Sequence, residues 1–390
     1  MGASIAVAMT QLGVPIKIMD SNSAALKNGL ARIEKMFASL EKRLDSREKE
    51  KSLEIANRRK LIDPVSKYDD LKNVDLVIEA VNEDIEVKKS VLQSLDKICQ
   101  PQTIIATNTS SLSITQLASF TNRPKQIIGL HFFNPAHIMS LVEIIPGLNT
   151  SDEVIKISID IVRKLHKLPV QVQECASFLV NRLLSRYLNE AIYILQTGLA
   201  DIKTIDKAAC ELLMPIGPLQ LRDMNGLDIG LSVARFNYSE YGERFKPPTL
   251  LETMVDKKML GIKTFAGFYA YKQNERKPIS INQELDNLLK ASKSSHYDKT
   301  TLPKFEPIQL FLPMINEAFL ALQEKIVAPH DLDPALKAAL GMRKGPMGFA
   351  FEFGLENCLK KIETLFHAYG ERFRPAPLLK RYVWAGKNCL

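Results

Sequence analysis

Residues Ile127–Glu143 read I-I-G-L-H-F-F-N-P-A-H-I-M-S-L-V-E. Ile127-Ile128-Gly129-Leu130 is a short apolar run of the length of a buried strand. It stops at His131, and Phe132-Phe133-Asn134-Pro135 follows at once. The histidine is therefore expected on a loop at the C-terminal end of a strand, where open α/β sheets bind ligands. Glu143 interrupts the next apolar run, Leu141–Ile145. A carboxylate inside a buried run costs free energy unless something pairs with it, and His131 is the nearest candidate in sequence. Taken alone, the stretch carries two readings equally well: a functional His–Glu pair, or a satisfied loop histidine beside a strand-edge charge.

At 390 residues the sequence exceeds one ordinary core, so two or three domains are expected. Its hydrophobic fraction, 46%, is that of a globular protein. The net charge is +8, but the basic residues are interleaved with acids. The densest run, 41–60, alternates both signs and reads as a solvated helix face, which argues against a nucleic-acid partner. Cys99, Cys175, Cys210, Cys358 and Cys389 show neither CxxC nor metal-ligand spacing. No metal site is expected, and scattered thiols fit a reducing cytoplasmic location. No apolar run approaches the ~20 residues of a membrane span. The N-terminus lacks the pattern of a signal peptide.

The chain opens with a helix over Met1–Met9 that Gly13 closes; a strand, Ile16–Met19, then ends at Asp20. Helix, glycine, strand and terminal acid form the later part of a dinucleotide-binding βαβ unit. The expected first strand and the first two glycines of its fingerprint are missing, and Gly2 takes the place of the third. Residues 26–60 read as an amphipathic helical hairpin that Pro64 and Asp69-Asp70 break. Strands follow at Leu76–Ile78 and Ile104–Ala106, each succeeded by a helix, so a mostly parallel sheet is expected. Asp20, Glu83, Thr107–Ser111 and His131 all fall at C-terminal strand ends, which share one edge of such a sheet. Two more strands are read at Leu141–Ile145 and Leu168–Val172, with a helix between them.

After Gln173 the pattern becomes almost wholly helical, beginning with one long helix, Phe178–Thr197. This part repeats. Asn189-Glu190-Ala191 recurs as Asn316-Glu317-Ala318, Gly217-Pro218 as Gly345-Pro346, and Tyr241-Gly242-Glu243-Arg244-Phe245 as Tyr369-Gly370-Glu371-Arg372-Phe373. The polar stretch between the copies, 273–307, reads as a linker. The expected fold class is thus an α/β Rossmann-type domain (1–172) followed by two repeated all-α domains, 173–272 and a shortened 308–390.

Six segments then carry a resemblance: T-N-T-S-S-L (107–112), G-L-H-F-F-N-P (129–135), L-V-E-I-I (141–145), F-L-V-N-R (178–182), G-P-L-Q-L (217–221) and G-F-Y (267–269). In order and spacing the chain resembles the L-3-hydroxyacyl-CoA dehydrogenase family over nearly its whole length. The duplicated helical part is similar to that of the multifunctional fatty-acid-oxidation proteins. The resemblance implies NAD as cofactor, an acyl-CoA substrate, and a catalytic set on Ser110, His131, Glu143 and Asn181. It places the adenine-ribose acid on Asp20, nicotinamide-side contacts on Glu83 and Lys88, and further cofactor contacts on Gly2, Asn108 and Asn134. Position 308, the repeat's counterpart of Asn181, is Ile308, so the second copy is expected to be structural. The family carries Pro-Gly just before the helix that starts at Phe178, where this chain has Ala176-Ser177.

The chemistry is consistent with that set. Oxidising a secondary alcohol needs a base for the hydroxyl proton, and the pKa of histidine suits the task. A buried carboxylate on its ring fixes the tautomer, and Ser110 and Asn181 offer neutral groups to hold the substrate oxygen. With Asn181 on the second domain, the site is expected to assemble across a cleft. Read singly, Ser110 and Ser111 are helix N-cap residues before Ile114, and at least one is expected in that role. Two rivals remain: a dehydrogenase of small hydroxy acids, and a cofactor-impaired, non-catalytic relative. Monomer and homodimer are both open.

Overall fold

The computed structural model describes residues 1–42, 49–273, 275–292 and 303–389. The chain divides into two compact units, Met1–Cys175 and Ala176–Leu390.

In the first unit α1 (Gly2–Met9) leads into β1 (Ile16–Met19), with Gly13 in the left-handed region at φ 70° between them. The charged hairpin is α2 (Ser23–Glu41) and α3 (Lys49–Arg59); its tip lies outside the described residues. Next comes β2 (Ile62–Val65), a strand that the sequence pattern hid because it contains Pro64. Proline survives there because β1 and β2 form a sheet of two strands, in which both are edges. The main sheet runs in the order β3 (Leu76–Glu79), β4 (Ile104–Thr107), β5 (Ile127–Phe132), β6 (Leu141–Pro146), β7 (Leu168–Gln171). Helices α4 (Ile85–Ile98), α5 (Ile114–Ala118) and α6 (Asp152–Lys164) connect these strands. The pairing is parallel, as expected, except between β5 and β6, which are antiparallel.

β4 and β5 are buried along their whole length, which explains why they read as continuous apolar runs rather than alternating ones. One core sets Ile5 and Met9 of α1 against Ile104, Ile128, Leu130 and Val142. A second sets Ala6 and Val7 of the same helix against Ile33, Phe37 and Ile55. α1 thus belongs to both cores. Its apolar residues run all round the helix because both sides are covered.

The second unit is built on α7 (Phe178–Thr197), which packs against α13 (Leu312–Gln323). α8 (Ile202–Leu212), α9 (Pro218–Asn225), α10 (Leu227–Tyr241) and α11 (Thr249–Asp256) follow α7. In the same order α14 (Pro329–Leu340), α15 (Pro346–Phe353), α16 (Leu355–Tyr369) and α17 (Pro377–Trp384) follow α13. Matching residues do matching work. Asp206 accepts the backbone N–H groups of Leu219 and Gln220 at the start of α9; Asp333 accepts those of Met347 and Gly348 at the start of α15. The carboxylates fill the space at Gly217 and Gly345, where an added Cβ would lie 2.1 Å from the aspartate Cγ in each case. Glycine is therefore required at both positions.

Part of the stretch read as a linker is built into this unit. β8 (Tyr269–Ala270) pairs antiparallel with β9 (Ser280–Ile281). The start of α12 (Glu284–Ser292) buries Leu285, and Asn282 donates to the Gly267 carbonyl. Leu285 and Leu288 are buried and anchor this short helix within an otherwise polar stretch.

Candidate active site in the first unit

His131 lies within β5, not on a loop after it. In the antiparallel register it stands directly opposite Glu143 on β6. The ring Nδ1 and the carboxylate Oε2 are 2.6 Å apart. Glu143 is fully buried and His131 is 6% exposed. Twelve residues of separation thus become a facing cross-strand pair, the geometry that fixes an imidazole tautomer. The Phe133 ring, 4.6 Å from the imidazole between centroids, closes one side.

A second cluster stands at the ends of β3 and β4. Glu83 Oε1 accepts from the Thr109 hydroxyl (2.6 Å), the Ser110 N–H (2.8 Å) and hydroxyl (3.2 Å), and the Ser111 N–H and hydroxyl (both 3.1 Å). Its Oε2 lies 3.5 Å from Lys88 Nζ. Burial pushes the Glu83 carboxyl up, but the Thr109 hydroxyl, Lys88 and the serine donors outweigh it and hold it below its ordinary range. The clusters are joined by Asn108, whose Oδ1 accepts the Phe132 N–H at 2.8 Å, and by the β4–β5 pairing.

Two expectations change here. The N-cap of α5 is Ser113, whose hydroxyl accepts the Gln116 N–H. Ser110 and Ser111 instead serve Glu83. Ser113 in turn donates to Glu174 at 2.5 Å, and Glu174 also takes the hydroxyl and N–H of Thr115. Second, Lys88 is only 1% exposed, and its ammonium is taken up by both oxygens of Glu79. Its ammonium is therefore held between carboxylates, closest to Glu79 and 3.5 Å from Glu83. The sequence reading passed over Glu79. The signal was there: a carboxylate at the end of the apolar run Leu76-Val77-Ile78, the same signature that marked Glu143.

The remaining cofactor candidates lie at the start of α1 and just after β1 and β5. Asp20 is exposed just beyond β1, with one oxygen accepting the Asn22 N–H. α1 opens at Gly2 with no side-chain cap on its first turn, and the Ser4 and Ile5 N–H groups bond back to the Met1 carbonyl. A Cβ at Gly2 would lie 3.8 Å from Ala80 Cβ, an ordinary contact, so close helix packing does not itself demand glycine there. Asn134 is exposed on the loop after β5. In the second unit Asn181 is half-buried on the first turn of α7. Among the described residues no group of His, Cys, Asp and Glu could hold a metal ion, and no helix is long and apolar enough to cross a membrane.

Residues 1–175 match the family model "3-hydroxyacyl-CoA dehydrogenase, NAD binding domain", and residues 178–271 and 308–389 match "3-hydroxyacyl-CoA dehydrogenase, C-terminal domain". The chain belongs to the 3-hydroxyacyl-CoA dehydrogenase family. Among curated relatives of this family, the fatty acid oxidation complex subunit alpha of Shewanella amazonensis is 34% identical over 396 residues, covering 100% of this chain and 54% of the relative. That of Idiomarina loihiensis is 36% identical over 393 residues, with 98% and 53% covered. The chain therefore spans about half the length of these relatives. Among solved structures, 3-hydroxybutyryl-CoA dehydrogenase from Escherichia coli superposes with a TM-score of 0.86 at 28% identity, covering 99% of this chain and 96% of that one. The (S)-3-hydroxybutyryl-CoA dehydrogenase of Ralstonia eutropha gives 0.65 at 38% identity, with 70% and 96% covered. The family's two parts, a Rossmann-like NAD-binding domain and a helical C-terminal domain, are the two units described above.

The start of the helical part carries one local departure. Ser177, the residue before α7, has φ 61°, in the left-handed region, and Phe178 has φ 53°. Ser177 is 1% exposed, and its hydroxyl finds no hydrogen-bond partner among the described residues. A β-carbon in this conformation costs about 1–2 kcal/mol, against a smaller entropic cost for glycine. Ser177→Gly is expected to raise stability by about 1 kcal/mol, seen as a higher denaturant midpoint; a lower midpoint would show that the hydroxyl is needed.

Proposed function

We propose that this chain oxidises L-3-hydroxyacyl-CoA thioesters to 3-ketoacyl-CoA with NAD, or runs the reverse reduction, in fatty acid metabolism. The observation that carries this reading is the buried His131–Glu143 pair, set across two central strands and joined through Asn108 to the Glu83 cluster. The nicotinamide of NAD, when bound, accepts hydride from the carbon that bears the hydroxyl. His131 takes the hydroxyl proton on its ring, and Glu143 holds that ring in place and offsets the positive charge it gains. Ser110 presents its hydroxyl to the substrate oxygen. Asn181 enters the catalytic set through the family resemblance. Asp20 takes the adenosine ribose; a carboxylate there disfavours the 2′-phosphate of NADP. Gly2, Asn108 and Asn134 line the remaining cofactor path, and Glu83 shapes its nicotinamide side with Lys88 behind it.

We further propose that residues 178–271 and 308–389 are two copies of one helical domain, of which the second is structural. Support comes from the paired helix order, the paired aspartate caps and Ile308 in the place of Asn181. Five scattered cysteines with neither CxxC nor metal-ligand spacing support a cytoplasmic setting.

The test is a substrate panel. Oxidation of 3-hydroxybutyryl-CoA should exceed that of free 3-hydroxybutyrate and of sugar acids by orders of magnitude in kcat/KM. Equal or faster turnover of a free hydroxy acid would replace this reading with the small-acid one.

A further inference from the structure

The structure assigns Glu79 a positioning role: it sets the Ser110–Ser111 loop by competing with Glu83 for Lys88. The kinetic consequence rests on the dehydrogenase reading above; the structural consequence does not.

Glu79 is 3% exposed at the end of β3. Its Oε1 accepts from Lys88 Nζ (2.9 Å) and the Val81 N–H (2.7 Å), and its Oε2 from Lys88 Nζ (3.0 Å) and the Thr107 hydroxyl (2.6 Å). These four contacts use the acceptor sites a carboxylate has. They also hold the ammonium 3.5 Å from Glu83 Oε2, farther than either Glu79 contact. Glu83 is thereby left to the loop. Its Oε1 collects five donors, of which the Thr109 hydroxyl and the Ser110 N–H are the shortest. One carboxylate oxygen has only about two strong acceptor directions. The serine hydroxyls, at 3.2 and 3.1 Å, are therefore surplus donors, and either can turn to a ligand without leaving Glu83 unsatisfied.

With a neutral amide in place of Glu79, the buried ammonium keeps Glu83 as its one remaining carboxylate partner among the described ion pairs. An uncompensated buried charge is costly, so Lys88 should close on Glu83 and draw it from the loop. Ser110 and Ser111 then lose the acceptor of their backbone N–H groups as well as of their hydroxyls.

The experiment compares wild type, Glu79→Gln and Glu79→Gln/Lys88→Gln by hydrogen exchange, with kcat and KM for acetoacetyl-CoA measured on the same preparations. In Glu79→Gln the exchange of residues 107–113 should quicken while the rest of the first unit stays protected. Its kcat should fall about tenfold to a hundredfold with little change in KM. The double variant, which lacks the displaced ammonium, should regain protection over 107–113. Wild-type protection of that segment in Glu79→Gln would overturn the inference. So would loss of protection throughout the unit, or a double variant less protected than the single one, since both mark a purely structural pair. If Glu79→Gln fails to fold, the double variant decides. A wild type without turnover would sink the dehydrogenase reading alone, because the exchange arm reads Glu79 independently of it.

Discussion

His131→Gln is expected to lower kcat by about 10²–10⁴, the usual cost of losing a general base. Glutamine is the right probe because its amide N–H still donates to Glu143, which is fully buried and opposite it in the sheet. The substitution therefore spares Glu143 an unpaired buried charge and removes only the ability to accept and hold a proton. Binding of NADH and the thermal midpoint should stay close to wild type. Stopped or steady-state turnover of acetoacetyl-CoA is the readout. Turnover like that of wild type would sink the mechanism, whatever the family.

Glu317→Ala should produce the largest loss of stability, about 3–5 kcal/mol, the cost of breaking a buried ion pair by removing one partner. Glu317 has no exposed side-chain surface. It pairs with Arg182 at 2.7 Å, Arg244 at 3.3 Å and Arg186 at 3.8 Å. Burial works against the Arg182 charge; Glu317 and Glu324 outweigh it and raise its pKa. The matching residues form the reciprocal pair: Arg372 meets Glu190 at 2.9 Å, and Gln309, which stands where Arg182 would be repeated, donates to Glu190 at 3.1 Å. Arg186 donates to the carbonyls of both Arg244 and Arg372, tying the two series together. Removing Glu317 leaves Arg182 with a half-exposed Glu324, and Arg186 with two carbonyls and the nearby charge of Glu190. Equilibrium urea unfolding measures the loss; a change under about 1 kcal/mol, the scale of a surface pair, would show that the network contributes little.

Much of this was legible in the sequence, for physical reasons that can be named. The His131–Glu143 pair could be suspected because an acid inside an apolar run demands a partner, although the stretch alone left a satisfied loop histidine equally open. The end of the strand was misplaced: β5 continues through Phe132, so the pair faces across β5 and β6 instead of meeting at a loop. The recurring motifs stood out in the sequence because positions such as Gly217 and Gly345 admit no Cβ beside their aspartates, and the two Gly-Glu-Arg-Phe turns carry arginines that meet buried glutamates. The strand β2 was hidden by Pro64, since a propensity reading does not know which strands are edges. The serine loop was misassigned because a hydroxyl before a helix is ambiguous until its acceptor is known; Ser113 caps α5 and Ser110 and Ser111 turn to Glu83. Glu79 and Lys88 were separable only in three dimensions, where nine residues of chain fold into one buried pair.

We propose that His131 and Glu143 serve hydride transfer between NAD and a 3-hydroxyacyl thioester. Loss of NADH absorbance on adding acetoacetyl-CoA, followed side by side in wild type and His131→Gln, tests it most directly. Wild type is expected to consume one NADH per thioester ketone, while the variant is slower by about two orders of magnitude or more. Equal rates in the two proteins, or no NADH consumption by a wild type that binds NADH, would contradict it.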